Sequence, residues 1–223
     1  MRLIIAGLGP GDFELVTLSA LNAAKSADLI IVPQVQGRAE KILAHHFPDA
    51  EFAHIVFPMV QDAQLRHDRI LSQLEELRPE WENTSCVFFP VIGDAMLYST
   101  GAYLLDVFKE LVPEIEAEFI PGISAHSLAA SCAKKFMALG QEIFAIIPGT
   151  ANPEKIRRTL EACDCAAIYK TTALRNIREL VQGFSKIIRV DFAGIPELER
   201  ITEGPSALDD IHEYLSVILL WRN

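Results

Sequence analysis

Short apolar runs alternate along the chain with longer segments whose apolar residues recur at helical spacing. In residues 15–26, for example, Leu15, Leu18 and Leu21 fall on one helical face, with Ala24 on the same side. Strands that alternate with helices are typical of a mainly parallel sheet covered by helices, so the pattern predicts an α/β fold. The predicted strands are residues 3–6, 28–32, 87–92, 116–120, 143–147, 166–169, 186–191 and 214–221. The predicted helices are residues 15–26, 39–46, 62–77, 102–111, 127–134, 153–163 and 174–184.

An interruption in the middle of the chain divides this pattern in two. Pro113 is followed by three acidic residues, Glu114, Glu116 and Glu118, which break the apolar periodicity. The alternation of strand and helix then begins again. We therefore predict two α/β domains, residues 1–115 and residues 116–223.

Composition narrows the classes of function. Half of the residues (50%) are apolar, which is enough for a buried core, and the formal net charge is −10. This charge, without a run of Lys and Arg, argues against a general nucleic-acid surface. The apolar runs are shorter than the roughly 20 residues that cross a bilayer, and the first run has no cleavage-like site after it. We expect a soluble, cytoplasmic protein that binds neither nucleic acid nor membrane.

The cysteines do not form a metal-binding pattern. Cys86, Cys132, Cys163 and Cys165 include no Cys-x-x-Cys pair and have no neighbouring pair of histidines. We expect reduced, mostly buried thiols and no metal site.

The first predicted strand ends in the turn Gly7-Leu8-Gly9-Pro10-Gly11-Asp12. A dinucleotide fingerprint would require Gly-x-Gly-x-x-Gly, but here the third glycine comes one position early, Pro10 lacks an amide, and Asp12 would repel a phosphate. Pro33 and Gln34 stand where an acidic ribose ligand would follow the second strand. The turn therefore disfavours a nicotinamide dinucleotide. A tight turn in which Asp12 caps the next helix is the simplest role, and it is compatible with a large flat substrate close to the backbone.

A second turn, Gly93-Asp94-Ala95-Met96-Leu97-Tyr98-Ser99-Thr100, follows a later apolar run. Gly93 permits close approach to the backbone, and Asp94 could accept hydrogen bonds from an amine or from ribose hydroxyls. Such an aspartate suits a cationic cofactor without phosphate. The alternative is that Asp94 or Ser99 caps the following helix.

A third turn, Pro121-Gly122-Ile123-Ser124-Ala125-His126, leads into a segment rich in small residues, including Ala129, Ala130 and Ser131. Small residues let another group pack tightly against a helix. By itself this turn is also consistent with ordinary packing of a helix on a sheet.

Together, the order and spacing of the three turns resemble the tetrapyrrole (corrin/porphyrin) methylase family, whose members use S-adenosylmethionine. The likeness extends from Met1 to the strand at residues 214–220. Within the family, the chain is similar to the branch that methylates precorrin-2 or cobalt-precorrin-2 at C20, on the basis of Tyr98-Ser99-Thr100 and of Phe57-Pro58-Met59 with Asp62. Ala95 replaces a proline that is usual after Gly-Asp, and Tyr169-Lys170 matches the branch's Met-Lys only loosely, so the substrate stays open.

The resemblance implies two α/β domains with the cofactor in a cleft between them, and a homodimer. The residues that it assigns to S-adenosylmethionine are Gly93, Asp94, Leu97, Ser124, Ala125, Tyr169, Lys170, Ala193 and Gly194. Gly9, Pro10 and Gly11 are assigned to the tetrapyrrole substrate. Because methyl transfer from a sulfonium depends largely on positioning, a strong base need not be essential. Asp12, Tyr98 and His126 are the titratable candidates if a proton must leave.

Two questions stay open at this point. Early corrin precursors carry many carboxylates although this chain is acidic, so a local basic rim is required; Arg38, Lys41, Arg66 and Arg69 are candidates, but ordinary solvated helix charges are equally compatible. The alternative functions are another methylase of the same fold, which acts on uroporphyrinogen, on a later corrin or on a protein, and a non-catalytic paralogue that binds S-adenosylmethionine.

Overall fold

The computed structural model describes residues 1–34, 37–58, 60 and 62–222. Its contacts divide the chain into a first unit, Met1–Ser124, and a second unit, Ala125–Asn223. The division falls later than the predicted boundary after residue 115. The reason is that the strand at residues 116–120 pairs with the first strand of the chain and so belongs to the first sheet.

The first unit contains a five-stranded sheet in which every pairing is parallel. Its strands are β1 (Arg2–Gly7), β2 (Leu29–Pro33), β3 (Ala53–Ile55), β4 (Cys86–Val91) and β5 (Glu116–Ile120), in the order β3-β2-β4-β1-β5. Its helices are α1 (Leu18–Ser26), α2 (Arg38–His46), α3 (Ala63–Glu76), α4 (Arg78–Trp81) and α5 (Gly101–Leu111), with a 3-10 helix at Phe13–Leu15.

Both faces of the first sheet are buried at its inner strands, β1, β2 and β4. Along β1, Leu3 and Ile5 pack into one apolar cluster with Phe89, whereas Ile4 packs into a second cluster with Phe88. Successive strand residues point to opposite faces, so a sheet with helices on both sides needs apolar residues at every position. This explains why the inner strands β1, β2 and β4 are nearly continuous apolar runs, whereas the edge strand β5 is largely exposed.

The second unit contains a five-stranded sheet of mixed direction. Its strands are β6 (Phe144–Pro148), β7 (Cys165–Tyr169), β8 (Lys186–Asp191), β9 (Arg200–Glu203) and β10 (Ser216–Trp221), in the order β6-β7-β10-β8-β9. Only β6 and β7 pair in parallel, while β10 is antiparallel to both β7 and β8, and β9 is antiparallel to β8. The prediction of a mainly parallel sheet is thus confirmed for the first unit. It is wrong for the second unit, where three of the four strand pairings are antiparallel.

Insertion of β10 leaves β6, β7 and β8 running in the same direction, so their carboxyl ends lie at one edge of the second sheet.

The helices of this unit are α6 (Ala125–Cys132), α7 (Pro153–Ala162) and α8 (Ile177–Leu180), with 3-10 helices at Thr171–Ala173 and Gly204–Leu208. Within the described part of the chain, no helix combines the length and apolar character that crossing a membrane requires.

The departures from the predicted elements have local causes. The first helix begins at Leu18, because the Thr17 side chain accepts a hydrogen bond from the amide of Ala20 at 3.2 Å and caps it. The segment predicted as one helix at residues 174–184 contains only α8. Strands β3 and β9 were not predicted: β3 has only three residues, and β9 is largely exposed, so neither carries a strong apolar signal.

Candidate functional site

The three glycine turns meet at the carboxyl edge of the first sheet. Strands β4, β1 and β5 are neighbours there, and Gly9 and Gly93 exchange two backbone hydrogen bonds of 3.2 and 2.7 Å. A Cβ added to Gly122 would lie 2.3 Å from the Gly93 oxygen and 2.7 Å from the carbonyl carbon of Gly7. No side chain fits at that distance. The first, second and third turns are therefore held together by direct backbone contact.

Gly93 leaves space beside this junction. Its φ is +81°, in the left-handed region that glycine adopts without cost, and a Cβ at this position would meet nothing within 4 Å. A flat group could thus approach the backbone at this point.

Asp94 connects the second turn to the third. Its Oδ1 accepts a hydrogen bond from the Met96 amide at 3.1 Å, and its Oδ2 accepts one from the Ser124 hydroxyl at 3.4 Å. Both side chains are half-buried, as is Leu97, whose amide donates to the Asp94 carbonyl at 3.3 Å. Ser99 has a local role beside the helix start, since its hydroxyl accepts from the Gly101 amide at 3.0 Å, but the cap residue of α5 is Thr100 and not Ser99 as predicted. A local role and a ligand role for Asp94 are compatible.

Ala95 and Tyr98 occupy very different surroundings in the second turn. Ala95 is buried in the apolar core of the first unit, where its small side chain packs without a polar role. Tyr98 has φ +53° and is 43% exposed. Partial burial raises the pKa of the Tyr98 phenol above its usual value of 10.0. At neutral pH this phenol is protonated, so it can donate a hydrogen bond but is a poor base.

Two glycines of the first turn have backbone conformations that other residues rarely adopt. Gly9 and Gly11 have φ of +76° and +145°, and both are buried together with Pro10. Asp12 is half-buried, and its Oδ1 accepts from the Glu14 amide at 2.8 Å. Asp12 therefore caps the 3-10 helix that follows, as predicted for its local role.

The four cations predicted as a rim differ in their contacts. Arg38 donates from Nε to the Gly11 carbonyl at 2.7 Å. Arg66 lies over the Tyr103 ring and donates to the Val60 carbonyl at 3.0 Å. Lys41 and Arg69 are exposed on α2 and α3. Arg38 and Arg66 thus serve the packing of the first unit, which leaves Lys41 and Arg69 as the exposed candidates.

The Phe57-Pro58-Met59 segment is only partly described. Phe57 packs against Phe89, with ring centroids 5.7 Å apart, and Pro58 is half-buried. Met59 lies outside the described residues. Asp62 caps α3 by accepting from the Leu65 amide at 3.0 Å.

In the second unit, Tyr169 and His126 form one hydrogen-bonded pair. The Tyr169 hydroxyl accepts from the His126 amide at 2.9 Å and lies 2.8 Å from Nδ1 of the same residue. Where Nδ1 donates to this hydroxyl, Nε2 is the ring nitrogen that can accept a proton. Lys170 follows in the left-handed conformation, at φ +53°, and is exposed. Ala125 begins α6 and packs, like Ala193, against the apolar cluster between α6 and the sheet.

Gly194 is held by Glu199, a residue that the sequence did not indicate. Its amide donates to Oε2 of Glu199 at 2.9 Å, and the Cys132 thiol donates to the same oxygen at 3.2 Å. Burial, with the nearby Glu199, raises the pKa of Cys132 to about 11, so this thiol keeps its proton at neutral pH. No local pattern points to Glu199, because it lies in an irregular polar segment.

Gly149 is a further glycine that the sequence analysis passed over. A Cβ on Gly149 would lie 2.7 Å from the Lys170 carbonyl oxygen and 3.0 Å from that of Tyr169. The dipeptide Pro148-Gly149 directly after an apolar run is the signal that could have identified it.

The four cysteines form no disulfide. Cys86, Cys163 and Cys165 are buried and Cys132 is half-buried, which agrees with the expectation of reduced, mostly buried thiols.

Comparison with known proteins supports one family. The model of the family Tetrapyrrole (Corrin/Porphyrin) Methylases matches residues 2–207. The chain is 27% identical to the probable cobalt-precorrin-2 C(20)-methyltransferase of Methanocaldococcus jannaschii, over 97% of this chain and 94% of that protein. It is 25% identical to the precorrin-2 C(20)-methyltransferase of a Sinorhizobium species, over 100% of this chain and 96% of that protein.

Solved structures share the fold. A cobalamin synthesis related protein, CobF, from Corynebacterium diphtheriae superposes with a TM-score of 0.76 at 17% identity, covering 100% of this chain and 99% of that one. Uroporphyrin-III C-methyl transferase from Thermus thermophilus, complexed with S-adenyl homocysteine, superposes with a TM-score of 0.70 at 19% identity, covering 99% and 97%.

Proposed function

Since the chain belongs to the tetrapyrrole (corrin/porphyrin) methylase family, we propose that it transfers a methyl group from S-adenosylmethionine to C20 of precorrin-2 or cobalt-precorrin-2 in cobalamin biosynthesis. The observation that carries this proposal is the family match over residues 2–207. The names of the relatives support the substrate, because a cobalt-precorrin-2 and a precorrin-2 C(20)-methyltransferase both align with more than nine-tenths of this chain.

The first unit has residues that fit S-adenosylmethionine. This molecule carries an ammonium group, a sulfonium and ribose hydroxyls, and it has no phosphate. The half-buried Asp94 carboxylate suits those groups, the Ser124 hydroxyl lies beside it, and Gly93 offers open space at the backbone. When bound, S-adenosylmethionine supplies an electrophilic methyl group.

The remaining cofactor residues are proposed on the resemblance. Leu97 is proposed to pack against the cofactor beside Asp94. In the second unit, the residues proposed for the adenine are Ala125, Tyr169, Lys170, Ala193 and Gly194. Tyr169 and Gly194 are held in place by His126 and Glu199, which would keep these two turns in a fixed shape for binding.

The protein's own contribution to the reaction would be positioning and placement of protons. We propose that the first turn, with Gly9, Pro10 and Gly11 at its centre, shapes the side that receives the ring. Tyr98 stays protonated and so would donate a hydrogen bond. If the ring carbon must lose a proton, Asp12 and His126 are the better acceptors, and His126 would act through Nε2.

Binding of S-adenosylmethionine is tested at Asp94. We expect Asp94→Ala to weaken binding by about tenfold or more, as loss of a charge-assisted contact does. Asp94→Asn is the matched control for folding, because its amide oxygen can still accept from the Met96 amide and its NH2 group can donate to the Ser124 hydroxyl oxygen, while the negative charge is lost. Isothermal calorimetry on both variants and the wild type measures the difference. Absence of binding by folded wild-type protein would contradict the proposal.

The substrate is tested by incubating the wild-type protein with S-adenosylmethionine and precorrin-2, with and without cobalt, followed by mass spectrometry. We expect one added methyl group, located at C20 by NMR. Methylation of uroporphyrinogen, or of a later corrin, in place of precorrin-2 would indicate another methylase of the family. Binding of S-adenosylmethionine without transfer to any of these rings would favour a non-catalytic paralogue.

A homodimer and a cytoplasmic location also belong to this proposal. They rest on the resemblance to the family. Light scattering on the purified protein tests the dimer, and fractionation of the native cells tests the location. A monomer at working concentrations would exclude the dimer but not the proposed reaction.

A further inference from the structure

Side chains of helix α2 contact the end of the first glycine turn and Phe13, the residue that follows it. Arg38, the first residue of α2, donates to the Gly11 carbonyl from Nε at 2.7 Å and also from Nη2. His46, the last residue of α2, has Nε2 2.8 Å from the Phe13 carbonyl. Since a carbonyl oxygen can only accept, His46 carries a proton on Nε2. Both ends of one helix thus bind carbonyl groups of one short loop.

The Phe13 side chain is held by the same helix. The Arg38 guanidinium lies over its ring, 4.6 Å from the centroid, and His45 stacks on it with centroids 4.6 Å apart and planes at 13°. Residues seven apart on a helix lie on the same face, which explains why Arg38 and His45 reach one ring. Five contacts from α2 therefore hold Gly11 and Phe13.

These contacts complement the backbone bonds of the turn. Leu8 donates a backbone hydrogen bond to Val91 at the end of β4, and Gly9 is bonded to Gly93 in the second turn. After Pro10 the bonds come from α2, and the Gly11 oxygen receives both guanidinium donors in the fork geometry that only arginine offers. The positions of Gly11 and Phe13 thus depend on side chains that lie 27 and 33 positions later in the sequence.

We propose that Arg38 and His46 are positioning residues that hold residues 9–13 in the shape that receives the tetrapyrrole. The inference rests on the proposed function, because it assigns the substrate to this loop. The proposal also gives Arg38 a role different from that of the basic rim predicted to face the substrate carboxylates. A rim residue acts through its charge, whereas a residue that shapes the loop acts through the geometry of its donors.

The test compares Arg38→Lys with Arg38→Gln. Lysine keeps the charge but loses the fork, so we expect both variants to lower kcat/KM for the tetrapyrrole by about tenfold to a hundredfold, at saturating S-adenosylmethionine. Affinity for S-adenosylmethionine should change less than twofold. Lys109→Gln removes an exposed charge from α5 that is not part of the candidate rim, and it serves as the control, with kinetics expected to match the wild type. Wild-type kinetics in Arg38→Lys with a loss only in Arg38→Gln would overturn the proposal in favour of a charge role.

A second readout does not depend on turnover. Hydrogen–deuterium exchange at the amides of residues 11–15 should rise in both Arg38 variants and in His46→Ala, while His46→Gln, which restores a side-chain donor, should exchange like the wild type. The contacts of Arg38 and His46 with residues 11–13 are called the clamp below. Unchanged exchange in Arg38→Lys and His46→Ala would disprove the clamp, whatever the enzymatic activity of these variants. If exchange rises but the wild-type protein methylates no tetrapyrrole, the clamp stands and the assignment of the substrate fails. If the Arg38 variants do not fold, the comparison of exchange between His46→Ala and His46→Gln tests the proposal.

Discussion

The two units hold their sheet-edge turns in different ways. In the first unit, the turns that follow β1, β4 and β5 touch through backbone atoms, at Gly7, Gly93 and Gly122. In the second unit, the backbone approaches closely at Gly149, but side chains hold the turns at Tyr169 and Gly194. A backbone contact admits only glycine, whereas a side-chain contact can be made by several residue types. The turns of the first unit are therefore easier to recognise from the sequence, by their glycines, than those of the second unit.

The largest effect is expected at the glycine junction. Gly122→Ala would force a Cβ to within 2.3 Å of the Gly93 oxygen, which requires a backbone shift and should destabilise the protein by about 3 kcal/mol or more. Urea unfolding measures the loss. Gly140→Ala is the control, since its Cβ would meet nothing within 4 Å and only its φ of +57° is strained, at about 1 kcal/mol. Equal effects of the two substitutions would refute a steric junction.

A smaller effect is expected where a side chain holds the turn. Tyr169→Phe removes the hydroxyl that accepts from the His126 amide, which should cost about 1 to 2 kcal/mol and leave the protein folded. Tyr103→Phe is the matched control: its ring keeps the contact with Arg66, and its effect should stay within about 0.5 kcal/mol. Urea unfolding again compares the two. A loss in Tyr169→Phe as large as that in Gly122→Ala would remove the distinction between the two units.

The smallest effect concerns pH and the thiols of the second unit. Burial raises the pKa of Cys132 and of Cys165 from 9.0 to about 11. Because the folded pKa lies above the unfolded pKa, this contribution to stability is complete below pH 9.0 and is lost as the pH rises towards 11. After allowance for solvent screening, we expect a loss of about 1 kcal/mol or less.

Thermal unfolding between pH 8 and 11 measures this loss, on the order of a few degrees. In the double variant Cys132→Ala, Cys165→Ala, the part of the slope above pH 9 that comes from these thiols should disappear. The same slope in the variant and the wild type would assign the alkaline loss to other groups.

Much of the fold could be predicted because the apolar runs mark the strands. Runs such as Val87-Phe88-Phe89 are buried on both faces, so their length and position are visible in the sequence. Their direction is not. An apolar run reads the same whether a strand pairs in parallel or antiparallel, which is why the insertion of β10 between β7 and β8 was not predicted. The domain boundary was misplaced for a related reason: Pro113 marks the turn between α5 and β5, which looks like a linker until β5 is known to pair with β1.

The candidate site was predictable only in part. The glycines of the three turns and the cap at Asp12 follow from local geometry, so the residues alone indicated them. Contacts that join distant parts of the chain left no pattern: Arg38 bonds to Gly11 across 27 positions, and Cys132 reaches Glu199 across 67. Assignment of Tyr169 and Gly194 to the cofactor came from the resemblance and awaits the binding experiments.

The place of β10 has a consequence for the order in which the chain folds. Strands β7 and β8 do not pair with each other, and each is joined to the sheet's centre through β10, which follows both in the chain. During synthesis, the strands of the first sheet are all available once residue 120 has emerged, whereas the second sheet has no centre until Ser216–Trp221 leaves the ribosome. Until then, β7 and β8 would each expose an open edge, the state in which a nascent chain is most prone to pair with a wrong partner.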